Sequence, residues 1–280
     1  MQIIKNIAGM TAYADAARSR GEGVVLVPTM GFLHAGHVKL LEAGRSEGSV
    51  LVLSIFINPA QFGLKEDFKG YPRDMERDIK IARDAGVDAV FIPDAAQMYP
   101  EGYRTYLTVE GFSERLCGIS RPGHFKGVAT VVLKLFNIVR PNRAIFGKKD
   151  FQQFVIIKRL AADLNLGVEI TGVDTVREAD GLAMSSRNIY LSPAERLSAR
   201  CIPRSLEAAK EAVSSGQRQS KAIIKKVKNI IETEALAAIE YVKICDPMTL
   251  EDAPRVEQPA LLAIAVRLGK TRLIDNALLS

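Results

Sequence analysis

Apolar runs alternate with helical patterns along residues 1–183. The runs are short, rich in Val, Ile, Leu and Phe, and bounded by Gly, Pro or Asn, which is typical of buried strands. Between them, apolar residues recur at i, i+3 and i+4, which predicts helices. The predicted strands are 24–27, 50–57, 89–92, 144–146 and 168–173, with one more short strand at 106–109. The predicted helices are 11–20, one beginning near His37, 74–85, 127–139 and 151–164.

The pattern changes after about Thr175. Ser192 and Glu195 form a capping box with Pro193 at the first helical position, which predicts a helix start. A second helix is predicted from about Lys221, followed by strands at 241–244, 260–266 and 272–276. We therefore expect an α/β domain over residues 1–183, with a doubly wound parallel sheet covered by helices on both faces. Residues 184–280 are expected to form a smaller α+β domain.

Composition indicates a soluble globular protein. The chain has 280 residues, 48% of them hydrophobic, and no apolar run approaches the length of a membrane span. The first residues lack the apolar stretch of a signal peptide, and Cys117, Cys201 and Cys245 show no paired spacing, so a reducing cytoplasm is expected. The formal net charge of +6 fits anionic small substrates or a nucleic acid and does not decide between them.

The stretch from Val24 to His37 reads as strand, turn and helix start. In an α/β sheet such a turn lies beyond the carboxyl end of a strand, where ligands bind, and the helix that it opens offers backbone N–H groups to an anion. His34 and His37, spaced i, i+3, point the same way and can donate hydrogen bonds to phosphate oxygens. A zinc site is the alternative, but the spacing and the intervening Ala35 and Gly36 do not match the helical zinc motif.

Three further segments carry candidate chemistry. Residues 58–63 could orient a small polar substrate or form a turn capped by Asn58. In residues 146–153, lysines can meet phosphate and Asp150 can cap a helix or contact a metal or ribose. Residues 183–188 place two hydroxyls and an Arg near the domain junction, either as a phosphate clamp or as an ordinary polar linker.

These segments together resemble a known family. Residues 28–37 resemble the HIGH-type signature of nucleotidyltransferases and class I aminoacyl-tRNA synthetases, and residues 184–187 resemble their KMSKS-type loop. Residues 58–63, 71–73, 123–128, 146–153 and 176–182 are similar to the pantothenate synthetase family, whose members use ATP to join pantoate to beta-alanine. The resemblance covers nearly the whole chain and is firmest over residues 24–191.

The resemblance implies a Rossmann-type domain with a C-terminal domain, residues 184–280, that acts as a lid. It implies an AMP-forming ligase in the cytoplasm, a homodimer, with ATP, pantoate and beta-alanine as small-molecule substrates and Mg²⁺ as cofactor. No nucleic acid or membrane partner is expected. Pantoate would attack the α-phosphorus of ATP to give pantoyl adenylate, and beta-alanine would then displace AMP.

The resemblance also implies individual roles. His37, His34 and Lys149 are expected to be catalytic. Gln61 is expected to bind pantoate and beta-alanine, and Gln153 to bind pantoate. The residues expected to bind ATP are Met30, Gly31, Phe32, Leu33, His34, Ala35, Gly36, His37, Gly147, Lys148, Lys149, Asp150, Val176, Met184, Ser185, Ser186 and Arg187. The protein ligands of Mg²⁺ are left open.

Lys148 departs from the family, which usually has Glu at that position. Adjacent residues at a helix start cannot both face one ligand, so one lysine should reach the phosphates. Because Gly147, Lys149 and Asp150 keep the family pattern, we assign that contact to Lys149. Lys148 is then expected to point outward and to add only screened attraction for ATP.

Two other classes remain open from the residues alone. A nucleotidyltransferase that acts on a phosphorylated acceptor would lack the paired glutamines, Gln61 and Gln153, and would form no amide. An RNA-binding protein, suggested by the basic balance, would lose affinity steeply with salt.

Overall fold

The computed structural model describes residues 1–63, 68 and 70–280. Within that part of the chain, six strands form a parallel sheet in the order β1-β4-β3-β2-β5-β6, and three form an antiparallel sheet in the order β7-β8-β9. The strands of the parallel sheet are β1 (Gln2–Ile4), β2 (Val24–Thr29), β3 (Val50–Ile55), β4 (Ala89–Phe91), β5 (Arg143–Gly147) and β6 (Glu169–Val173). Those of the antiparallel sheet are β7 (Ala237–Cys245), β8 (Ala260–Leu268) and β9 (Thr271–Leu279).

The helices alternate with the parallel strands and then cluster before the antiparallel ones. They are α1 (Ile7–Ser19), α2 (Ala35–Glu47), α3 (Met75–Asp84), α4 (Ala95–Met98), α5 (Cys117–Ser120), α6 (His124–Val139), α7 (Phe151–Asp163), α8 (Pro193–Ser198), α9 (Cys201–Ser214) and α10 (Ser220–Glu232). No helix in the described part of the chain is long and apolar enough to cross a membrane. The fold class predicted from the sequence, a parallel α/β sheet with a smaller α+β part, is confirmed.

The chain divides into two compact units. Unit 1 comprises Met1–Ser113, Arg121–Lys148 and Ile156–Asp174. Unit 2 comprises Glu114–Ser120, Lys149–Val155 and Thr175–Ser280. The boundary predicted after residue 183 lies inside unit 2, and the assignment of residues 184–280 as a lid stays a prediction.

The core of unit 1 follows from strand periodicity. Side chains alternate between the two faces of a strand, and Val25 and Val27 of β2 pack with Leu51 and Leu53 of β3 against Leu41 of α2. The intervening residues of β2 turn to the other face, where α1 and α6 approach the strand. Burial on both faces explains why these strands are continuously apolar rather than alternating.

The strand order positions a ligand site. From β2, the chain adds β3 and then β4 on one side of the sheet. It then returns to the other side of β2 and adds β5 and β6, so the direction of strand addition reverses between β2 and β5. Open α/β sheets bind ligands in the crevice beyond the carboxyl ends of the strands at such a switch point. The segment from Met30 to His37 leaves β2 at this point.

Unit 2 has its own core, formed by the antiparallel sheet and the helices before it. Val242, Ile264 and Leu273 of the three strands pack with Ile202 of α9 and Val227 of α10. The capping box predicted at the start of α8 is present, since Glu195 N–H donates to Ser192 Oγ and Ser192 N–H donates to Glu195 Oε2. This unit therefore contains a packed core independent of the parallel sheet.

One sequence prediction needs correction, and two elements were not predicted. The strand predicted at 106–109 is wrong, because that segment pairs with no strand and Leu107 N–H instead donates to Thr130 Oγ1 at 3.0 Å. The edge strand β1 was not predicted, since three residues, of which two are exposed, give no pattern. The helix predicted to start at Pro193 is present as α8, which ends at Ser198, whereas the separate helix α9 from Cys201 was not predicted.

Candidate active site

The turn that follows β2 is held by a buried carboxylate. Asp78 of α3 is 1% exposed, and its two carboxylate oxygens accept hydrogen bonds from the N–H groups of Phe32 and Leu33, both at 2.7 Å. Burial raises the pKa of Asp78, while the two N–H donors act in the opposite direction. Gly31 adopts a φ of 81°, and a Cβ there would lie 2.9 Å from Asp78 Oδ2. The turn therefore requires glycine at position 31 and an acceptor at position 78.

The turn ends in two adjacent imidazoles. His34 is the N-cap of α2, and its Nδ1 accepts a hydrogen bond from Gly36 N–H at 3.1 Å. His37 Nδ1 accepts in turn from His34 N–H at 3.2 Å, and the ring centroids are 4.0 Å apart. Because Nδ1 is the acceptor in each ring, each neutral ring carries its proton on Nε2. The backbone thus sets both histidines as Nε2–H donors at the amino terminus of a helix, where anions bind favourably.

Gln61 lies in a short 3-10 helix, Pro59–Gln61, after β3. Its side-chain Oε1 accepts from Asn58 Nδ2 at 3.1 Å, and its Nε2 contacts Met30 Sδ at 3.1 Å. Asn58 is fully buried, and its Oδ1 accepts from Ala60 N–H and from the Tyr99 hydroxyl at 2.8 Å. Burial raises the pKa of Tyr99, so its hydroxyl stays protonated and remains a donor. The capped-turn interpretation of Asn58 is confirmed, and the cap orients Gln61 beside Met30.

Two residues of α6 hold the backbone at Gln61. His124 Nδ1 lies 2.8 Å from the Gln61 carbonyl oxygen, and its Nε2 lies 3.0 Å from Arg121 NH1. Because arginine only donates, His124 Nε2 is the acceptor and its Nδ1–H donates to the carbonyl. Gly127 permits the contact, since a Cβ there would lie 2.2 Å from the Ala60 carbonyl oxygen. The position of Gln61 therefore depends on close packing of its turn against α6.

The boundary between the two units falls between the adjacent lysines, Lys148 and Lys149. Lys148, the last residue of the second segment of unit 1, pairs through Nζ with Asp174 at 2.8 Å. Lys149 and Asp150 belong to unit 2, and no described residue pairs with the Lys149 ammonium. An ion pair that directs Lys148 to an exposed aspartate agrees with the expected outward orientation of this side chain.

The two adjacent glutamines of α7 differ in their surroundings. Gln152 is 6% exposed, its Oε1 accepts from Cys117 N–H at 3.0 Å, and its Nε2 donates to the Arg115 carbonyl at 2.7 Å. Gln153 is half-buried, and its side-chain amide has no hydrogen-bond partner among the described residues. Gln152 is therefore a structural residue, whereas the Gln153 amide is available to a ligand.

The loop 184–187 is anchored by the hairpin that precedes it. Met184 N–H donates to the Val176 carbonyl at 2.9 Å, and Ser185 caps the 3-10 helix Ser186–Tyr190 by accepting from Arg187 N–H. Asn188 Nδ2 donates to Glu178 at 2.6 Å. The backbone from Val176 to Arg187 is thus a connected structure rather than an unsupported linker.

One guanidinium holds the hairpin that precedes this loop at two of its residues. Arg196 NH2 donates to Glu178 at 2.7 Å and also contacts Asp180. Hydrogen bonding from Arg196 lowers the pKa of Asp180, so this carboxylate remains ionised well into acidic conditions. The cluster ties the hairpin to α8, which carries Arg196.

Sequence reasoning singled out the histidines and glutamines as candidates but missed the residues that hold their segments in place. Asp78 was read only as part of a helix, although it lies four residues before the buried Ala82 on the apolar face of α3. A carboxylate on the apolar face of a predicted helix is a sequence signal that could have identified Asp78 as a buried acceptor. Tyr99 gave no comparable signal, because its contact with Asn58 joins residues 41 positions apart.

Comparisons with known proteins agree along the whole chain. The family model of pantoate-beta-alanine ligase matches residues 2–278. A pantothenate synthetase of Geotalea uraniireducens (strain Rf4) is 54% identical over 279 residues, which cover 100% of this chain and 99% of that protein.

Solved structures show the same similarity. The pantothenate synthetase of Thermus thermophilus has a TM-score of 0.94 and 42% identity, and the match covers 99% of each chain. The pantoate-beta-alanine ligase of Francisella tularensis, complexed with beta-gamma ATP and beta-alanine, has a TM-score of 0.83 and 32% identity. That match covers 99% of this chain and 97% of the other.

Proposed function

Because the chain belongs to the pantoate-beta-alanine ligase family, it joins pantoate to beta-alanine, and we propose that its own residues do so through the following two steps. ATP is the energy source, and AMP and pyrophosphate are the by-products. The observation that supports the first step best is the His34–His37 pair, whose Nδ1 atoms accept backbone N–H groups so that both Nε2–H groups are donors.

In the first step a pantoate carboxylate oxygen forms a bond to the α-phosphorus of ATP. The bond from that phosphorus to the pyrophosphate oxygen breaks, and pyrophosphate leaves with the electron pair. Both reactants are anions, so the protein must align them and stabilise the charge of the transition state. His34 and His37 supply hydrogen bonds to phosphate oxygens, and Lys149 supplies positive charge.

In the second step the amine of beta-alanine attacks the acyl carbon of pantoyl adenylate. The amide bond forms, the acyl–oxygen bond breaks, the nitrogen loses a proton, and AMP leaves with the bridging oxygen. No side-chain nucleophile is needed. The protein contributes alignment and shields the adenylate from water.

Gln61 and Gln153 bind pantoate in this proposal, and Gln61 also contacts beta-alanine. Support for Gln61 is its buried, oriented amide, which Asn58 holds on one side and which contacts Met30 on the other. Support for Gln153 is that its neighbour Gln152 is committed to backbone contacts while Gln153 is not. Amides suit pantoate because they can both donate to its carboxylate and pair with its hydroxyls.

The remaining ATP contacts follow the family match. They comprise Met30, Gly31, Phe32, Leu33, Ala35 and Gly36 of the turn, Gly147, Asp150 and Val176, and Met184, Ser185, Ser186 and Arg187 of the anchored loop. Lys149 takes the phosphate contact, and Lys148, paired with Asp174, adds long-range attraction to the nucleotide. The lysine that contacts phosphate is thus the one without a carboxylate partner among the described residues.

Magnesium fits this site as a companion of ATP. Among the described residues, no group of three or more His, Cys, Asp or Glu side chains could hold a metal ion by itself. Mg²⁺ commonly binds through substrate phosphates and one or two carboxylates, and Asp150, which is exposed beside Lys149, could be such a carboxylate. When bound, the ion would neutralise phosphate charge.

We extend the proposal to the setting of the enzyme. Residues 184–280 act as a lid, the enzyme is a cytoplasmic homodimer, and it acts on small molecules rather than on nucleic acid or membrane. All three described cysteines are free thiols, as a reducing compartment requires. Sedimentation equilibrium tests the dimer, since a monomeric mass at micromolar concentration would contradict it.

Isotope exchange tests the function. Radiolabelled pyrophosphate should enter ATP when pantoate is present and beta-alanine is absent, because the first step is reversible and independent of the amine. Omitting pantoate is the control and should abolish exchange. Amide synthesis by a preparation that shows no exchange would contradict the two-step scheme.

A further inference from the structure

Two consecutive residues of β9, Asp275 and Asn276, form hydrogen bonds to two segments that bind ATP in the proposed function. Neighbouring residues of a strand point to opposite faces, so the pair can serve two segments at once. One partner segment contains Lys149, and the other is the hairpin before Met184. All of these residues belong to unit 2.

Asn276 holds the backbone at Lys149. Its Nδ2 donates to the Lys149 carbonyl oxygen at 2.8 Å, across 127 positions of sequence. A hydrogen bond to this carbonyl fixes the peptide plane between Lys149 and Asp150, and therefore the direction in which both side chains leave the 3-10 turn Lys148–Asp150. The next turn of the chain is anchored separately, through Gln152 to Arg115 and Cys117.

Asp275 holds the hairpin. Its side chain is 1% exposed and accepts two hydrogen bonds from Arg177, at 2.6 Å and 3.1 Å. Arg177 also donates to the Gly181 carbonyl, so the guanidinium spans the hairpin that carries Met184. A bidentate arginine–carboxylate pair fixes orientation as well as distance.

We propose that Asp275 and Asn276 are positioning residues that set the two ATP-binding segments of unit 2 on one rigid strand. This inference rests on the proposed roles of Lys149 and of residues 184–187. Neither residue touches substrate. Asn276 acts through the peptide at Lys149, and Asp275 acts through Arg177. Anchoring both segments on adjacent residues fixes their mutual placement within unit 2, which is what the alignment of a triphosphate requires.

The two variants that test the Asn276 arm are Asn276→Asp and Asn276→Ala. Both remove the donor to Lys149, but only Asn276→Asp adds a charge, so an effect shared by the two reports the loss of the Nδ2 donor. Asn229→Asp is the matched control, since Asn229 is exposed on α10 and undergoes the same chemical change. Asp275→Asn is less suitable as a test, because removing the charge of a buried partner of Arg177 is expected to affect folding as well.

The measurement is steady-state pyrophosphate exchange, with melting temperature recorded for each protein. We expect kcat to fall at least tenfold in both Asn276 variants, while the KM for pantoate stays within twofold because the Gln152 anchor is intact. Melting temperatures should stay close to that of Asn229→Asp, whose kcat should equal that of the wild type. A purely structural role would lower the melting temperature and the active fraction without this separation of kcat from KM.

Three results would overturn the inference. They are an unchanged kcat in either variant, a loss confined to Asn276→Asp, or a loss that tracks the melting temperature. Failure of the proposed function is distinguishable, because it would appear as absent exchange in the wild-type protein. Active wild-type enzyme with fully active Asn276 variants would refute only the positioning role.

Discussion

The replacement His37→Ala separates catalysis from stability. His37 Nδ1 accepts the His34 N–H, and its ring is half-exposed beside that of His34. In the proposed mechanism its Nε2–H donates to a phosphate oxygen whose charge develops in the transition state. Loss of one oriented donor of this kind costs about 2.7–4 kcal/mol, or about 10²–10³ in kcat.

The cost to folding should be much smaller. Truncating a half-exposed ring leaves no closed cavity, and the hydrogen bond lost from the helix capping box is worth about 0.5–2 kcal/mol. Ser192→Ala is a matched control, because it removes a capping bond from α8 and touches none of the proposed active-site residues. The two variants should therefore show similar losses in unfolding free energy and very different losses in kcat.

The assay combines pyrophosphate exchange at saturating ATP and pantoate with urea denaturation. We expect the kcat of His37→Ala to be about 10²–10³-fold lower than that of Ser192→Ala, while the two variants have similar unfolding free energies. Equal kcat values in the two variants would refute the role of His37 as a donor. A collapse of stability in His37→Ala alone would make the residue structural.

Two further predictions concern charge. Lys149→Ala should abolish adenylate formation. Lys148→Glu should change the apparent affinity for ATP only slightly and mainly at low salt, because salt screens long-range attraction. If the two variants rank in the reverse order at physiological ionic strength, Lys148 makes the phosphate contact. Arg196→Met should lower the unfolding free energy near neutral pH, because Arg196 lowers the pKa of Asp180 in the folded protein. The stability that this interaction adds is fully present above the usual aspartate pKa of about 3.9, and it is lost as the pH falls through the lowered pKa. Denaturation at several pH values should therefore show the difference from wild type narrowing below about pH 4, and a constant difference would contradict the argument.

The periodicity of the chain was enough to predict most of the fold. The strands β2 to β6 were all predicted, and the signal is strongest in β2 to β5, whose residues are mostly buried. β1 gave no signal, since it has three residues and pairs with β4 on one side only. The false strand at 106–109 shows the converse, because an apolar pattern without a neighbouring strand does not pair.

The site was predictable where a residue's chemistry stands in a local motif. His34, Gln61 and Lys149 stand in such motifs, and the contacts of His34 with Gly36 and His37 lie within its own turn. Asp78 and Asn276 act through contacts that span 46 and 127 positions, and no local pattern marks them. The sequence alone therefore predicts the chemical groups better than the residues that hold them in place.

Oxygen transfer tests the central claim, activation of pantoate at the α-phosphorus, most directly. Pantoate labelled with oxygen-18 in its carboxylate is converted with ATP and beta-alanine, and the products are analysed by mass spectrometry. The mechanism predicts one labelled oxygen in each AMP, because the attacking oxygen stays on the α-phosphorus when the amine displaces the nucleotide. Label in inorganic phosphate, accompanied by ADP, would contradict it.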